Sequence, residues 1–439
     1  MGSRELSIAL VLQDTPLDSV VEEVLNHQGI CYDTIRGRNE GKKYPVVIVP
    51  AFNEVDSRFG RGLCLPGGEV LAADRVIDLE SILRSLSGRA GSEGDRLGLA
   101  VNHAEQKLTL EIRRVMSNLG FPLVIKWFWP NGARSCFVLT HDIDWLNYSP
   151  FHKVVVQGLS LRQYAVTALK GAAGKEFGWN VSTMIKSYRR HNIKSTVFLR
   201  TDYPAGAPVL QSVKMFRESG CEIGLHAAHE SHASSRALDL EVDAFRTMTG
   251  VNPKGLRFHI LKFSVPSTWE ILSSCGFEYD ATFGYNRRFG FRADVCYPYH
   301  PITGKQSRVL ELPTCFMDWT ALHRKERGKD ITTRLQNLMD MVDRYHGVMV
   351  VNFHNTYLNS ETFPDVMDAY SWLLEQAASK CWVTTAEECV SWWKSREETR
   401  PTFEENDDGS WDSRTSVPLA VLEDDGSYTL LKGHNPTIR

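Results

Sequence analysis

Four apolar runs along this chain each stop abruptly at ionisable residues. Cys136-Phe-Val-Leu-Thr-His-Asp-Ile-Asp-Trp145 ends in two carboxylates one residue apart. Cys221-Glu-Ile-Gly-Leu225 runs into His226, Gly255-Leu-Arg-Phe-His259 carries Arg257 and His259, and Val348-Met-Val-Val-Asn-Phe353 runs into His354. Short apolar runs of this length predict buried strands. Side chains two apart on a strand share a face, so Asp142 and Asp144 address one point in space. Such a pair repels unless a cation, a shared proton or an arginine stands near it. In parallel α/β sheets and barrels the carboxyl ends of the strands are where sites are built, because their loops converge on one mouth.

The remaining pattern gives the organisation. Residues 6–12 and 45–50 read as two parallel strands flanking a helix from Leu17 to His27, which predicts a small α/β domain. Leu79 to Leu86 and Ala104 to Asn118 read as helices, and Phe121 to Pro130 leads into the region of the strand ends. Residues 146–180 form an insertion that reads as a helical spacer or a lid. A helix, a strand and a helix close the region through Tyr370 to Trp393. Beyond Arg396 the composition turns to Glu, Asp, Ser and Gly. Val417 to Glu423 and Tyr428 to Leu431, joined by Asp424-Asp-Gly-Ser427, predict a β-hairpin that must dock on the body or stay partly disordered. The expected divisions are 1–128, an α/β domain of open role, 129–398, the region of the strand ends, and 399–439, an acidic tail with the hairpin.

The motifs carry a resemblance. THDID at 140–144, the Ser195-Thr-Val-Phe-Leu199 strand, EIGLH at 222–226, Arg257 with His259, and the His354 strand resemble the ordered motifs of the polysaccharide deacetylase family, the NodB-homology group of carbohydrate esterase family 4. The resemblance covers about residues 130–398. Gly290-Phe-Arg292 and Cys296-Tyr-Pro298 resemble segments of a divergent bacterial branch. What it implies is an α/β fold with a distorted (β/α) barrel, and hydrolysis of N-acetyl or O-acetyl groups on sugars with one divalent metal. By position it implies Asp142 as general base, Asp144 as metal ligand and His226 as first histidine ligand. The family's second histidine would fall at 230, where this chain has Glu230. His229, Glu230 and His259 are therefore alternative ligands, the first two sharing a helical face with His226. Asp280 and Arg292 are candidate substrate contacts.

The chemistry also follows from the residue types. Hydrolysing an amide needs an activated water, a stabilised oxyanion and a protonated leaving amine. A metal supplies the first two by lowering the pKa of bound water and polarising the carbonyl. Asp142 would take the proton with Arg257 holding it ionised, and His354 would protonate the departing nitrogen. One acid at a strand end is more often a cap or a loop hydrogen-bonder than a ligand. An i, i+2 acid pair ending an apolar strand has no such cheap explanation. His141, His232 and His300 read as surface or supporting residues. Cys64 with Gly67-Gly68 lacks a nucleophile-elbow context and reads as structural.

Composition narrows the partners. The formal charge of -3 over 439 residues, without a dense basic run, argues against nucleic acid and against a membrane surface. Nine scattered cysteines without a CxxC pair suit a reducing compartment. No window is apolar for the length of a membrane span, and Gln13-Asp-Thr-Pro interrupts the first apolar run too soon for a signal peptide. The expectation is a cytoplasmic metal-dependent hydrolase of non-peptide C–N bonds acting on an N-acylated carbohydrate or conjugate. Its cofactor would be one divalent metal, Zn first, with Co, Ni or Mn also suited. Rival readings are a metal-independent C–N hydrolase on the same barrel and a glycan-binding module with a weakened site.

Overall fold

The computed structural model describes residues 8–13, 15–35, 44–50, 69–89, 99–144, 146, 165, 169, 180–203, 208–228, 230–303, 307–323, 331–360, 363–433 and 437–438. The insertion at 146–180, Cys64 with its glycines, and His229 thus lie wholly or almost wholly outside the described residues. The chain divides into two compact units, one of 1–134, 292–308 and 391–439, the other of 135–291 and 309–390.

In the first unit, β1 (Ile8–Val11), β2 (Tyr32–Ile35), β3 (Val46–Val49) and β4 (Glu69–Ala72) form a parallel sheet in the order β2-β1-β3-β4. β1 pairs directly with β3 and is followed by the Pro16–His27 helix, as the apolar runs predict. β2, with polar residues at its centre, joins the edge. β1 and β3 are buried along their whole length, so they read as continuous apolar runs without alternation. The predicted hairpin forms as β17 (Leu419–Leu422) and β18 (Tyr428–Leu430). It docks by pairing β17 antiparallel with β5 (Leu123–Lys126), which gives two otherwise marginal strands a third. A second small sheet joins β15 (Thr402–Glu405), β16 (Trp411–Arg414) and β19 (Thr437–Ile438).

Buried polar contacts tie the three stretches of this unit together. His27 lies 2.6 Å from Glu105 and 3.1 Å from Glu23, which accepts the His300 backbone N–H, and the His300 ring lies 3.2 Å from Glu397. Burial opposes charge on His27, but Glu105 and Glu23 outweigh it and raise it to about 10. Glu105 is itself pushed up, because burial outweighs the same contact. The fully buried Arg396 donates to the carbonyls of Asn26, His27, Lys126 and Trp127 at 2.8–3.1 Å, closing the end of the first helix. Gly29 follows at φ +67, where a Cβ would stand 2.1 Å from the Lys126 carbonyl.

The second unit is built on a parallel sheet with helices between its strands. β6 (Cys136–Ile143), β7 (Thr196–Leu199), β8 (Glu222–Ala227), β9 (Gly255–Phe258), β10 (Tyr279–Asp280) and β11 (Leu310–Glu311) follow one another across the sheet. On the other side of β6 come β13 (Val348–Asn352) and β12 (Thr314–Met317), while β14 (Trp382–Thr384) also pairs with β6. β11 and β12 stand at opposite ends of this order yet are separated by only two residues. Their ends are therefore at most ~11 Å apart, so the sheet curls back on itself as a distorted (β/α) barrel. The closing helix, strand and helix are Pro364–Lys380, β14 and Ala386–Glu398. No helix among the described residues is long and apolar enough to cross a membrane.

Candidate functional site

The carboxyl ends of six strands in the second unit bring the ionisable residues together. Asp142 and Asp144 come from β6, His226 from β8, Arg257 and His259 from β9, and His354 follows β13. Arg200 and Asp318 follow β7 and β12. Arg257 is fully buried and spends every side-chain nitrogen. Its Nε donates to the Ala281 carbonyl at 2.8 Å, Nη1 to Thr140 Oγ1 at 2.8 Å and Asp142 Oδ1 at 3.0 Å, and Nη2 to Thr314 Oγ1 at 3.0 Å. The Phe198 ring lies 4.8 Å from the guanidinium carbon. Gly224, the glycine of EIGLH, makes room for that ring, since a Cβ there would meet it at 2.7 Å.

Asp142 is nearly wholly buried, and its second oxygen accepts from Asn352 Nδ2 at 2.7 Å. Burial alone would raise its pKa. The charges of His226, Arg257 and His354 outweigh burial and hold it well below the usual carboxylate range. Asp144 is also lowered, against burial, by His226 and His354.

Asp144, His226 and His259 offer donor atoms that all lie within 4.8 Å of one another, the one such cluster of three among the described residues. His226 Nδ1 is 2.9 Å from the Arg257 carbonyl, which fixes the proton there and turns the Nε2 lone pair outward. Nε2 lies 3.3 Å from Asp144 Oδ1, yet neither atom makes a properly directed hydrogen bond and both are buried. Two orphaned polar atoms facing one point fit a cation held between them, and an acid with two imidazoles is a donor set that zinc and its neighbours accept. Burial works against charge on His226, but Asp142 and Asp144 raise its pKa. His259 goes the other way: burial and the charge of His226 lower it to about 4, so it is the neutral imidazole that ligation requires. Its ring stands perpendicular to that of His226, with centroids 5.3 Å apart. The backbone turns sharply after it, Ile260 and Leu261 both lying in the left-handed region at φ +57 and +50. Such a turn at a β-branched residue costs about 1–3 kcal/mol and persists where its surroundings over-determine it.

His354 Nε2 is 3.9 Å from both Asp142 and Asp144. Its other face is held by Asp318, which accepts from the ring at 2.6 Å and from the backbone N–H at 2.7 Å. Burial lowers the imidazole, but Asp318 outweighs it, with help from Asp144 and Asp142, and the pKa rises to about 9.

The expected residues do not all gather here. Asp280 is fully buried beside Glu311, its register partner on β11, and offers nothing to solvent. Arg292 belongs to the first unit. Glu230 is exposed and outside the cluster of three. His141 and His232 are buried and His300 is half-buried, so none of them is a free surface residue. The His141 ring faces Phe353 O at 2.9 Å, and burial lowers its pKa to about 3. Asp318 and Arg200 are the residues that sequence reading passes over. Both carry the same signal as β6, an apolar run ending in a charge, in Cys315-Phe-Met-Asp318 and Val197-Phe-Leu-Arg200. Arg200 Nη1 lies 3.3 Å from His259 Nε2, and its guanidinium pairs with Asp202 at 2.6–2.7 Å.

No family model and no curated protein matches this chain. Among solved structures it is similar to a "putative polysaccharide deacetylase from Mycobacterium smegmatis", at 18% identity over 62% of this chain and 94% of that one, with a TM-score of 0.46. It is similar to Puue allantoinase at 16% identity over 60% of this chain and 92% of that one, TM-score 0.42. The chitin deacetylase from the fungal pathogen Colletotrichum lindemuthianum is similar at 12% identity over 58% and 86%, TM-score 0.36.

Proposed function

We propose that the second unit is a metal-dependent hydrolase of a carbon–nitrogen bond outside peptides, acting on an N-acylated sugar or sugar conjugate. The observation that carries this reading is the convergence of Asp144, His226 and His259, with Asp144 Oδ1 and His226 Nε2 orphaned and buried, beside a carboxylate held ionised on one hand and an imidazole held protonated on the other. The motif order from THDID to the His354 strand supports the deacetylase class. Asp144, His226 and His259 would hold one divalent cation, zinc by preference, leaving a coordination position open as catalytic sites do. When bound it supplies an acidified water and a Lewis acid for the acyl oxygen.

The rest is done by this chain's own side chains. Asp142, kept ionised by the charges around it, Arg257 among them, takes a proton from the attacking water. Arg257 and Asn352 also fix its plane, so little reorganisation is needed at the moment of reaction. His354, kept protonated by Asp318, gives its proton to the amine nitrogen as the C–N bond breaks. Base and acid stand on neighbouring strands facing one volume, and their pKa values are displaced in opposite directions, the arrangement an acid–base pair needs.

Acetate release from a panel of N-acetylated mono- and oligosaccharides by zinc-loaded protein tests the reading. Release is expected from wild type and not from Asp142→Asn. Turnover by metal-stripped protein would favour a metal-independent hydrolase instead, and no turnover of any member of the panel would count against an enzyme of this class.

A further inference from the structure

Asp280 and Glu311 face each other as register partners on adjacent parallel strands, and both are fully buried. Two carboxylates so placed cannot both be ionised without a cation between them. Their four oxygens are unequal. Asp280 Oδ1 accepts from the Thr282 hydroxyl at 2.5 Å, Glu311 Oε2 from the Trp269 indole at 2.8 Å, and Glu311 Oε1 from the Phe283 N–H at 3.0 Å. Asp280 Oδ2 is buried without a partner among the described residues. Three oxygens therefore have fixed donors and the fourth lacks one. A proton between the two carboxyls removes the repulsion and supplies the missing donor at once.

We propose that Asp280 and Glu311 share one proton at Asp280 Oδ2, and that the singly charged pair is a positioning device for Arg257. The pair clamps the turn 280–283 from both ends, Asp280 through Thr282 and Glu311 through Phe283 N–H. That turn supplies the Ala281 carbonyl, which accepts from Arg257 Nε at 2.8 Å and from Thr314 Oγ1 at 2.9 Å, and Thr314 in turn accepts from Arg257 Nη2. Thr282 Oγ1 also accepts the Phe258 N–H, between Arg257 and His259 in the chain. Arg257 is the charged group that faces the pair from β9, and Trp269 from the Ser267–Ser274 helix contributes only a neutral N–H. Burial raises both acids, Asp280 to about 6 and Glu311 well above its ordinary value with Asp280 beside it. That Arg257 in turn holds a reacting carboxylate rests on the function proposed above; the shared proton and the clamp do not.

The two acids answer differently to amide substitution. In Asp280→Asn the amide nitrogen takes the place of Oδ2 and donates to Glu311, while the amide oxygen still accepts from Thr282. In Glu311→Gln one of two oxygens that accept N–H becomes an N–H donor, facing Trp269 or Phe283. Asp280→Asn should therefore keep the neutral-pH melting temperature and lose a protonated-carboxyl band from its infrared difference spectrum. A folded pKa raised above the unfolded value of about 4 makes stability fall as pH rises through the folded value. That contribution should be present in wild type and missing in Asp280→Asn. Glu311→Gln should melt lower and shift the Arg257 Nε–H resonance, which Asp280→Asn leaves in place. On the hydrolase reading, kcat falls roughly 10- to 100-fold in Glu311→Gln and stays within about threefold in Asp280→Asn.

The infrared, melting and resonance measurements need no turnover, so they decide the proposal even if no substrate is hydrolysed. Retention of the carboxyl band in Asp280→Asn would overturn the shared proton. Equal damage from the two variants would overturn it as well, and an Arg257 resonance unmoved in Glu311→Gln would overturn the positioning role.

Discussion

Removing the charge of Asp318 should convert the proposed acid into a neutral imidazole over the working pH range. Asp318 meets His354 at 2.6 Å and is the largest influence holding it up to about 9 against burial. Asp142 and Asp144 contribute less, and a cation bound to Asp144 would offset them, leaving Asp318 as the contact that matters in the loaded enzyme. In Asp318→Asn the imidazole should fall toward its ordinary value of about 6.5, a change of roughly two units or ~3 kcal/mol between its two forms. At about pH 7.5 the protonated fraction then drops from nearly all to roughly a tenth, so kcat/KM should fall about tenfold. An acid must be protonated to act, so activity is present below its pKa and lost as pH rises through it. The alkaline limb of the kcat/KM profile should move down by roughly two units, while activity near pH 5.5 changes by less than about threefold. The amide keeps only one of the two acceptors that serve His354, so a lower melting temperature, corresponding to ~1–3 kcal/mol, should accompany the change. An alkaline limb that stays in place, or a loss by the same factor at every pH, would refute the argument by showing misplacement instead of lost protonation.

Three further outcomes follow from the same geometry. The first unit should lose stability as pH rises from about 6.5, the ordinary histidine value, toward the folded values of about 10 for His27 and about 9 for His300. Both rings bind their protons more tightly folded than unfolded, so His27→Gln should flatten the alkaline side of a chemical denaturation series, and an unchanged slope would remove His27 from the account. Gly224→Ala should cost ~1–3 kcal/mol by forcing the Phe198 ring away from Arg257, read as a lower urea midpoint with an unchanged m-value. Arg257→Lys cannot reproduce four directed contacts from a planar fork, so it should lower kcat more than about tenfold while leaving KM within a few-fold.

Much of this site is legible before any coordinates, because a buried strand that stops at a charged residue advertises its carboxyl end. The shared face of Asp142 and Asp144 follows from alternation, and the positions of His226, Arg257, His259 and His354 follow from where the apolar runs stop and from the motifs they resemble. Choosing among His229, Glu230 and His259 does not, since it depends on how β8 and β9 lie beside each other and on the left-handed turn at Ile260 and Leu261, which no apolar pattern encodes. Asp280 illustrates the opposite failure. It resembles another strand-end acid, but its strand is only two residues long and its register partner is Glu311, a pairing fixed by sheet order and invisible along the chain. The tail hairpin is readable from Asp424-Asp-Gly-Ser427, while its docking strand, some 300 residues away, is not. Likewise, nothing in Arg292 to Arg308 announces that His300 packs against Glu23 and Glu397 of the first unit.

Elemental analysis of wild type beside Asp144→Ala, His226→Ala and His259→Ala tests the central claim most directly. About one zinc per chain after loading, lost in all three variants and kept in His229→Ala and Glu230→Ala, is the predicted result. A wild type that takes up no metal when supplied, or a His259→Ala protein that binds it as wild type does, would contradict the account.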